Sequence, residues 1–134
     1  MRFFYPIEFE IPDEWWTSAG MTGFAPTTRA YIASSSDEYP TVIVPVEDVE
    51  PPRRAPGVER DFRGFCQNGM MWAFDHIRRG LEQEPIPVHE LPDQVKFRYA
   101  VRDGFHRFYA SAAVGFRLLP VSVRPYFDVT KGWP

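Results

Sequence analysis

The sequence has only one cysteine, no long hydrophobic run and no surplus of positive charge. Because Cys66 is alone, the chain cannot form an intrachain disulfide or a cysteine metal cluster, and a reducing interior is its expected location. No stretch approaches the ~18 apolar residues of a membrane span. Residues 1–6 do not lead into an apolar stretch followed by a small-residue cleavage site. We therefore expect a soluble cytoplasmic protein that does not contact a membrane.

The net charge and the amino-acid composition further restrict the kind of protein that this sequence can encode. A net charge of −3 argues against a general nucleic-acid coat, although a local basic patch stays open. The 14 prolines lie mostly between apolar runs, which indicates turns and stiff loops. Aromatic residues make up 16% of the chain, which predicts a bulky core or, alternatively, an exposed stacking surface. The 134 residues fit one domain.

The hydrophobic pattern predicts a single α/β (α+β) domain over residues 1–134, with a mixed β-sheet flanked by helices. Strands are predicted at residues 7–11, 41–46, 96–102 and 118–123, and helices at residues 66–82 and 105–114. The strand at residues 41–46 is expected to be buried because its run is β-branched, and the strand at residues 118–123 is expected to be buried as well. Residues 85–89 are predicted to form an edge strand at best, because their prolines cannot donate to a ladder. Residues 1–40 are expected to be an N-terminal extension of strand and loop.

The most informative motif is a strand that runs into a helix through residues 103–107, Asp-Gly-Phe-His-Arg. Glycine permits a sharp turn, and the first helical turn leaves N–H groups without partners. The helix dipole favours an anion there, and His106 and Arg107 add donors suited to phosphate. Alternatively, Asp103 caps the helix, His106 bonds a backbone carbonyl and Arg107 lies on the surface. The residues alone leave both interpretations open.

A second feature is the pair Arg53 and Arg54, which follows two prolines at residues 51–52. The prolines forbid a helix, so the segment is predicted to be a rigid extended loop that presents both guanidinium groups. It is either a solvated basic turn or a second arm of the anion site. The two features support each other only if the fold brings them together.

Residues 41–54 and 99–123 together resemble the two sequence boxes of the ParB/sulfiredoxin superfamily, and in particular a small stand-alone member without a helix-turn-helix. The resemblance implies a ParB/sulfiredoxin-like core over residues 41–123. It also implies a phosphate site for a nucleotide (ATP or CTP) with Mg²⁺, made by Asp103, Gly104, Phe105, His106, Arg107, Arg53 and Arg54.

The chemistry of the family varies, so its fold does not decide the function. Sulfiredoxins carry a reactive cysteine immediately before the His-Arg pair, where this chain has Phe105. Because Cys66 is far away in sequence, sulfiredoxin activity is not expected. A phosphotransferase or nuclease would need a carboxylate, for which Glu47 and Glu50 are the candidates; the alternative is that both are solvated loop acids.

Three functions therefore stay open. The chain binds a nucleotide or another phosphate ligand, or it is a nucleotide-dependent phosphotransferase or nuclease, or it is a non-catalytic DNA-associated or protein-interaction module. A small phosphate-bearing molecule is the expected partner, nucleic acid is a further one, and the oligomeric state is open. His76 and His89 lack metal-ligand spacing, so no metal site is expected within the chain itself.

Overall fold

The computed structural model of the protein describes residues 1–35, 38–53, 61–93 and 96–125. In chain order the elements are β1 (Arg2–Phe3), β2 (Phe9–Glu10), α1 (Asp13–Ser18), β3 (Thr41–Pro45), a 3₁₀ turn (Val46–Asp48), β4 (Val49–Glu50), α2 (Gln67–Arg79), β5 (Ile86–Glu90), β6 (Tyr99–Val101), α3 (Phe105–Val114) and β7 (Leu118–Val123). Strands β1 and β2 form an antiparallel pair, and the other five form a mixed sheet in the order β3-β7-β5-β6-β4. The predicted α+β fold class is confirmed.

The order of the strands brings two distant segments together. Strands β4 and β6 pair in parallel, with Val49 opposite Tyr99. Parallel neighbours end at the same edge of a sheet. Residues 51–53, which follow β4, therefore leave the sheet beside the turn at residues 102–104, which leads into α3.

One core holds the sheet, the helices and the N-terminal segment together. Helices α2 and α3 pack against each other. Phe9 reaches α3, where its ring meets that of Tyr109 edge-on at 5.0 Å between centroids. Trp15 is buried, and Trp16 packs edge-on against Phe74. Within the described residues, no helix combines the length and the apolar content needed to cross a membrane.

The prediction that residues 85–89 form an edge strand is wrong, because β5 lies between β7 and β6 in the sheet. The carbonyl of Pro87 accepts a hydrogen bond from the Arg102 N–H at 2.8 Å, just beyond the end of β6. Pro87 has no N–H. The hydrogen bond that an N–H at this position would donate to the neighbouring chain lies at this same point, where the pairing of β5 with β6 ends. A central strand therefore tolerates this proline without a gap in its pairing.

Other boundaries differ in smaller ways. The strand predicted as buried at residues 41–46 is the edge strand β3, in which Ile43 is 52% exposed and only Val44 is buried. Helix α2, predicted over residues 66–82, ends at Arg79 because Gly80 adopts a left-handed conformation with φ of 66°, so Leu81 lies outside it. The bounds predicted for α3 and β7 match those of the structure.

Candidate functional site

The strand-to-helix turn has the geometry that the motif predicts. Gly104 lies between β6 and α3 with φ of 100° and ψ of 31°, a left-handed conformation that glycine adopts readily. Its N–H donates to Oδ1 of Asp103 at 2.8 Å. Because the cap residue Gly104 has no side chain, it does not satisfy the N–H groups in the first turn of α3.

The first turn of α2 lies against the first turn of α3. The Cys66 N–H donates to Nε2 of His106 at 3.1 Å. The ring of His106 also lies directly over Gly69, since a Cβ added to Gly69 would stand 2.6 Å from Nδ1. The positive dipole ends of two helices therefore meet at His106, and each favours an anion.

This meeting point is a feature that the sequence analysis missed. His106 was expected to donate to a ligand or to a backbone carbonyl, whereas its Nε2 accepts a hydrogen bond from the Cys66 N–H. The available signal was Gly69 within the predicted helix, because a glycine inside a helix often marks a close packing contact. On the α2 side, Oδ2 of Asp61 accepts a hydrogen bond from the Gln67 N–H at 2.7 Å.

Arg107 folds back over the start of its own helix. A Cβ on Gly104 would lie 3.1 Å from Nη2 of Arg107, so the guanidinium group covers the turn. Its Nη1 donates to the carbonyls of Glu84 at 2.6 Å and Pro85 at 3.2 Å. Half-buried Arg107 is therefore bonded across to the segment that leads into β5.

Tyr31 holds the same segment from the other side. Its hydroxyl donates to the Glu84 carbonyl at 2.6 Å. Burial raises the pKa of Tyr31, and the nearby Arg107 acts in the opposite direction. The phenol therefore stays protonated at neutral pH and remains a donor, so two donors converge on one carbonyl beside the turn at Gly104.

The loop after β4 also reaches this region. The hydroxyl of Tyr109, in α3, donates to the Pro52 carbonyl at 2.7 Å. This bond fixes residues 51–53 beside the first half of α3, with Arg53 exposed. Arg54 lies outside the described residues. The fold thus brings residues 51–53, the described part of the arginine loop, and residues 103–107 to one edge of the sheet, which was the condition for the two features to support each other.

Glu47 and Glu50 lie in different places. Glu47 accepts a hydrogen bond from the Tyr5 hydroxyl at 2.9 Å, and the neighbouring Val46 N–H donates to the Arg117 carbonyl at 2.9 Å. Arg117 follows the C-terminal end of α3, which spans about 15 Å at the usual helical rise. Glu47 therefore lies at the opposite end of α3 from residues 103–107. Glu50 ends β4, at the edge of the sheet where the arginine loop begins.

Glu50 also interacts with His89. Burial lowers the pKa of His89, Arg102 lowers it further, and Glu50 acts in the opposite direction. We expect Glu50→Gln to lower the pKa of His89, because the favourable carboxylate is removed. An NMR titration of the imidazole signals measures this. Glu47→Gln is the matched control and should leave His89 unchanged; an equal shift in both variants would contradict the placement of Glu50.

The fold modifies the expectation about Cys66. Although Cys66 is 40 residues away from His106 in sequence, its backbone nitrogen lies 3.1 Å from the imidazole, so distance along the chain does not separate the two in space. The residue immediately before His106 is Phe105, whose ring packs against those of Phe65 and Tyr109. In the described part of the chain, no three His, Cys, Asp or Glu side chains are grouped to hold a metal ion.

Comparisons with known proteins give similarity in structure alone. The sequence matches no protein-family model and no curated protein. Among solved structures, sulfiredoxin from Arabidopsis thaliana is 26% identical with a TM-score of 0.46, over 67% of this chain and 90% of that chain. The C-terminally truncated chromosome-partitioning protein ParB from Caulobacter crescentus, complexed with CTP-gamma-S, is 22% identical with a TM-score of 0.48, over 66% of this chain and 46% of that chain. In fold, this chain is similar to sulfiredoxin and to part of ParB.

Proposed function

We propose that this chain binds a nucleotide or another phosphate ligand where the first turns of α2 and α3 meet. The observation that carries the proposal is the contact of the Cys66 N–H with His106, which joins the two helix starts. Each helix start carries roughly half a positive charge, and their sum favours a phosphate group. The left-handed turn at Gly104 lets the ligand approach the backbone closely.

Cationic side chains support the same conclusion. The guanidinium of Arg107 lies over Gly104, and its present acceptors are the neutral carbonyls of Glu84 and Pro85. A phosphate oxygen would offer a stronger, charge-assisted bond, so Arg107 can exchange one of these carbonyls for the ligand. Arg53 stands in the neighbouring loop and would close over the phosphate, together with Arg54.

The remaining residues of the motif have supporting roles. In our proposal His106 fixes the distance between the two helix starts, and Phe105 anchors α3 in the core. Mg²⁺ bound with a nucleotide takes carboxylate and phosphate oxygens as ligands. Asp61 and Asp103 are carboxylates that already accept bonds at the two helix starts, so they fit that requirement.

Binding, rather than phosphotransfer or DNA cleavage, is the function we propose. A phosphotransferase or nuclease needs a further carboxylate, besides the Mg²⁺ ligands Asp61 and Asp103 proposed above, that acts on the nucleophile at the reacting phosphate. Glu47 lies at the far end of α3, which leaves Glu50 as the remaining predicted candidate. Glu50 lies in a row across the sheet with Ala100 and His89, and its carboxylate acts on the pKa of His89.

Isothermal titration with ATP, CTP, GTP and tripolyphosphate, with and without Mg²⁺, tests the proposal. We expect Arg107→Ala to weaken binding by about 10- to 100-fold, since a charge-assisted bond to a phosphate is lost. Arg79→Ala is the matched control, because Arg79 pairs with Asp75 in the last turn of α2 and its removal changes the net charge equally. An absence of heat with every anion, or equal affinity in both variants, would refute the proposal.

A further inference from the structure

A cleft of about 590 Å³ adjoins the proposed phosphate site. Its lining residues are Ser34, Trp72, Glu82, Gln83, Glu84 and Arg107. The volume is in the range of small-molecule sites. Arg107 belongs to both places, because its guanidinium covers Gly104 and also lines the cleft. A ligand whose phosphate lies at the start of α3 would therefore have the rest of its body beside this cleft.

The cleft is lined by a polar side chain whose hydrogen-bonding groups have no partner. Gln83 is only 2% exposed, and neither Oε1 nor Nε2 of its carboxamide has a hydrogen-bond partner. The Ser34 hydroxyl is in the same situation. The backbones of both are fixed, since the Ser34 N–H donates to the Gln83 carbonyl and the Gln83 N–H donates to that of Ile32, each at 2.9 Å.

Enclosed polar groups without hydrogen-bond partners destabilise the protein when no ligand is bound. A buried amide without partners loses its hydration and gains nothing in return, whereas an apolar residue of similar shape would avoid that loss. A carboxamide presents a donor beside an acceptor. Gln83 and Ser34 thus offer a set of hydrogen bonds that a ligand with a polar edge can complete.

Trp72 supplies a flat surface at the same cleft. Its side chain is 54% exposed although it is a large aromatic group on α2. The ring of His76 lies 3.7 Å from the indole, centroid to centroid, and Nδ1 of His76 bonds the Trp72 carbonyl at 2.8 Å. His76 therefore supports the indole from one side while much of its surface stays available. Exposed aromatic rings of this kind stack on nucleobases.

We propose that this cleft receives the base of a nucleotide, an inference that rests on the proposed function. The base stacks on Trp72, its polar edge bonds the Gln83 carboxamide and the Ser34 hydroxyl, and its phosphates lie at the starts of α2 and α3. Every nucleobase has an edge with a donor next to an acceptor, which a carboxamide complements. Because both amide atoms are enclosed, the Gln83 side chain turns toward the cleft on binding.

The test compares nucleotides with tripolyphosphate, which has the charge but no base. We measure affinities for ATP, CTP, GTP, UTP and tripolyphosphate by titration calorimetry at fixed salt and Mg²⁺. At least one nucleotide should bind about tenfold or more tightly than tripolyphosphate, as stacking on one ring provides. Trp72→Ala and Gln83→Met should each remove most of this advantage and leave the affinity for tripolyphosphate unchanged. Trp72→Phe should retain part of it.

The possible outcomes separate the two proposals. If tripolyphosphate binds as tightly as every nucleotide, or if both variants keep the full advantage, the base site is wrong and the phosphate site survives. If neither tripolyphosphate nor any nucleotide binds, the proposed function fails and the base site fails with it. Thermal unfolding of the variants controls for folding, and Gln83→Met should melt no lower than the parent protein, since it removes unpartnered polar atoms.

Discussion

Gly104→Ala is expected to destabilise the protein by about 2–3 kcal/mol, more than alanine at another left-handed glycine does. A side chain at φ of +100° is strained whatever the space around it. The new Cβ would also lie 3.1–3.2 Å from three guanidinium atoms of Arg107. The guanidinium group must then shift by a few tenths of an ångström, which weakens its bonds to the carbonyls of Glu84 and Pro85. Urea unfolding measures the change in free energy.

Gly115 provides the matched control for this prediction. It has φ of +95°, and no atom lies within 4 Å of an added Cβ. Gly115→Ala should therefore show the backbone strain alone, about 1–2 kcal/mol. In an Arg107→Ala background the extra loss at Gly104 should disappear, so that the two glycines become equivalent. Equal losses in the parent protein would mean that the guanidinium does not rest on the turn.

The elements that could be predicted are those whose signals are local. The bounds of α3 match the prediction because Gly104 and Gly115 flank one apolar stretch, and both glycines adopt left-handed conformations. The run Leu118–Val123 was predicted as a strand and forms β7. In these segments propensity, turn chemistry and burial point to the same conformation.

The position of a strand in the sheet could not be predicted in the same way. The prolines of residues 85–89 favoured a position at the edge, but β5 lies inside the sheet. The sheet accommodates Pro87 because this residue lies opposite Arg102, just beyond the end of β6. The β-branched run of β3 favoured burial, yet among the described strands β3 has β7 as its single neighbour. Both outcomes depend on which strand lies alongside, and that information is in the topology and not in the segment itself.

In the candidate site, too, some features could be predicted from neighbouring residues and others depend on the fold. The turn at Gly104 was predicted from neighbouring residues, whereas the partner of His106 is the backbone of a residue 40 positions earlier. Glu47 looked close to the arginine loop in sequence, but Val46 bonds the Arg117 carbonyl and carries Glu47 to the other end of α3. Gln83 gave no signal at all, because a glutamine between helix and strand is usually solvated.

Gly69→Ala is expected to destabilise the protein by about 1–3 kcal/mol, the reverse of the usual effect within a helix. Replacing a helical glycine with alanine normally stabilises by roughly 0.5–1 kcal/mol. Here the added Cβ would lie 2.6–2.8 Å from three ring atoms of His106, including Cγ, so no ring flip relieves the contact. The imidazole must shift and the bond from the Cys66 N–H is lost.

The same substitution tests whether the contact between the two helix starts supports binding. If the phosphate site depends on that contact, Gly69→Ala should weaken tripolyphosphate binding together with stability, as calorimetry and urea unfolding would show. His106→Ala makes room for the new methyl group, so in that background Gly69→Ala should become stabilising. This reversal of sign isolates the contact from helix propensity, which is equal in both backgrounds. A stabilising effect of Gly69→Ala in the parent protein would show that α2 and α3 do not meet through His106.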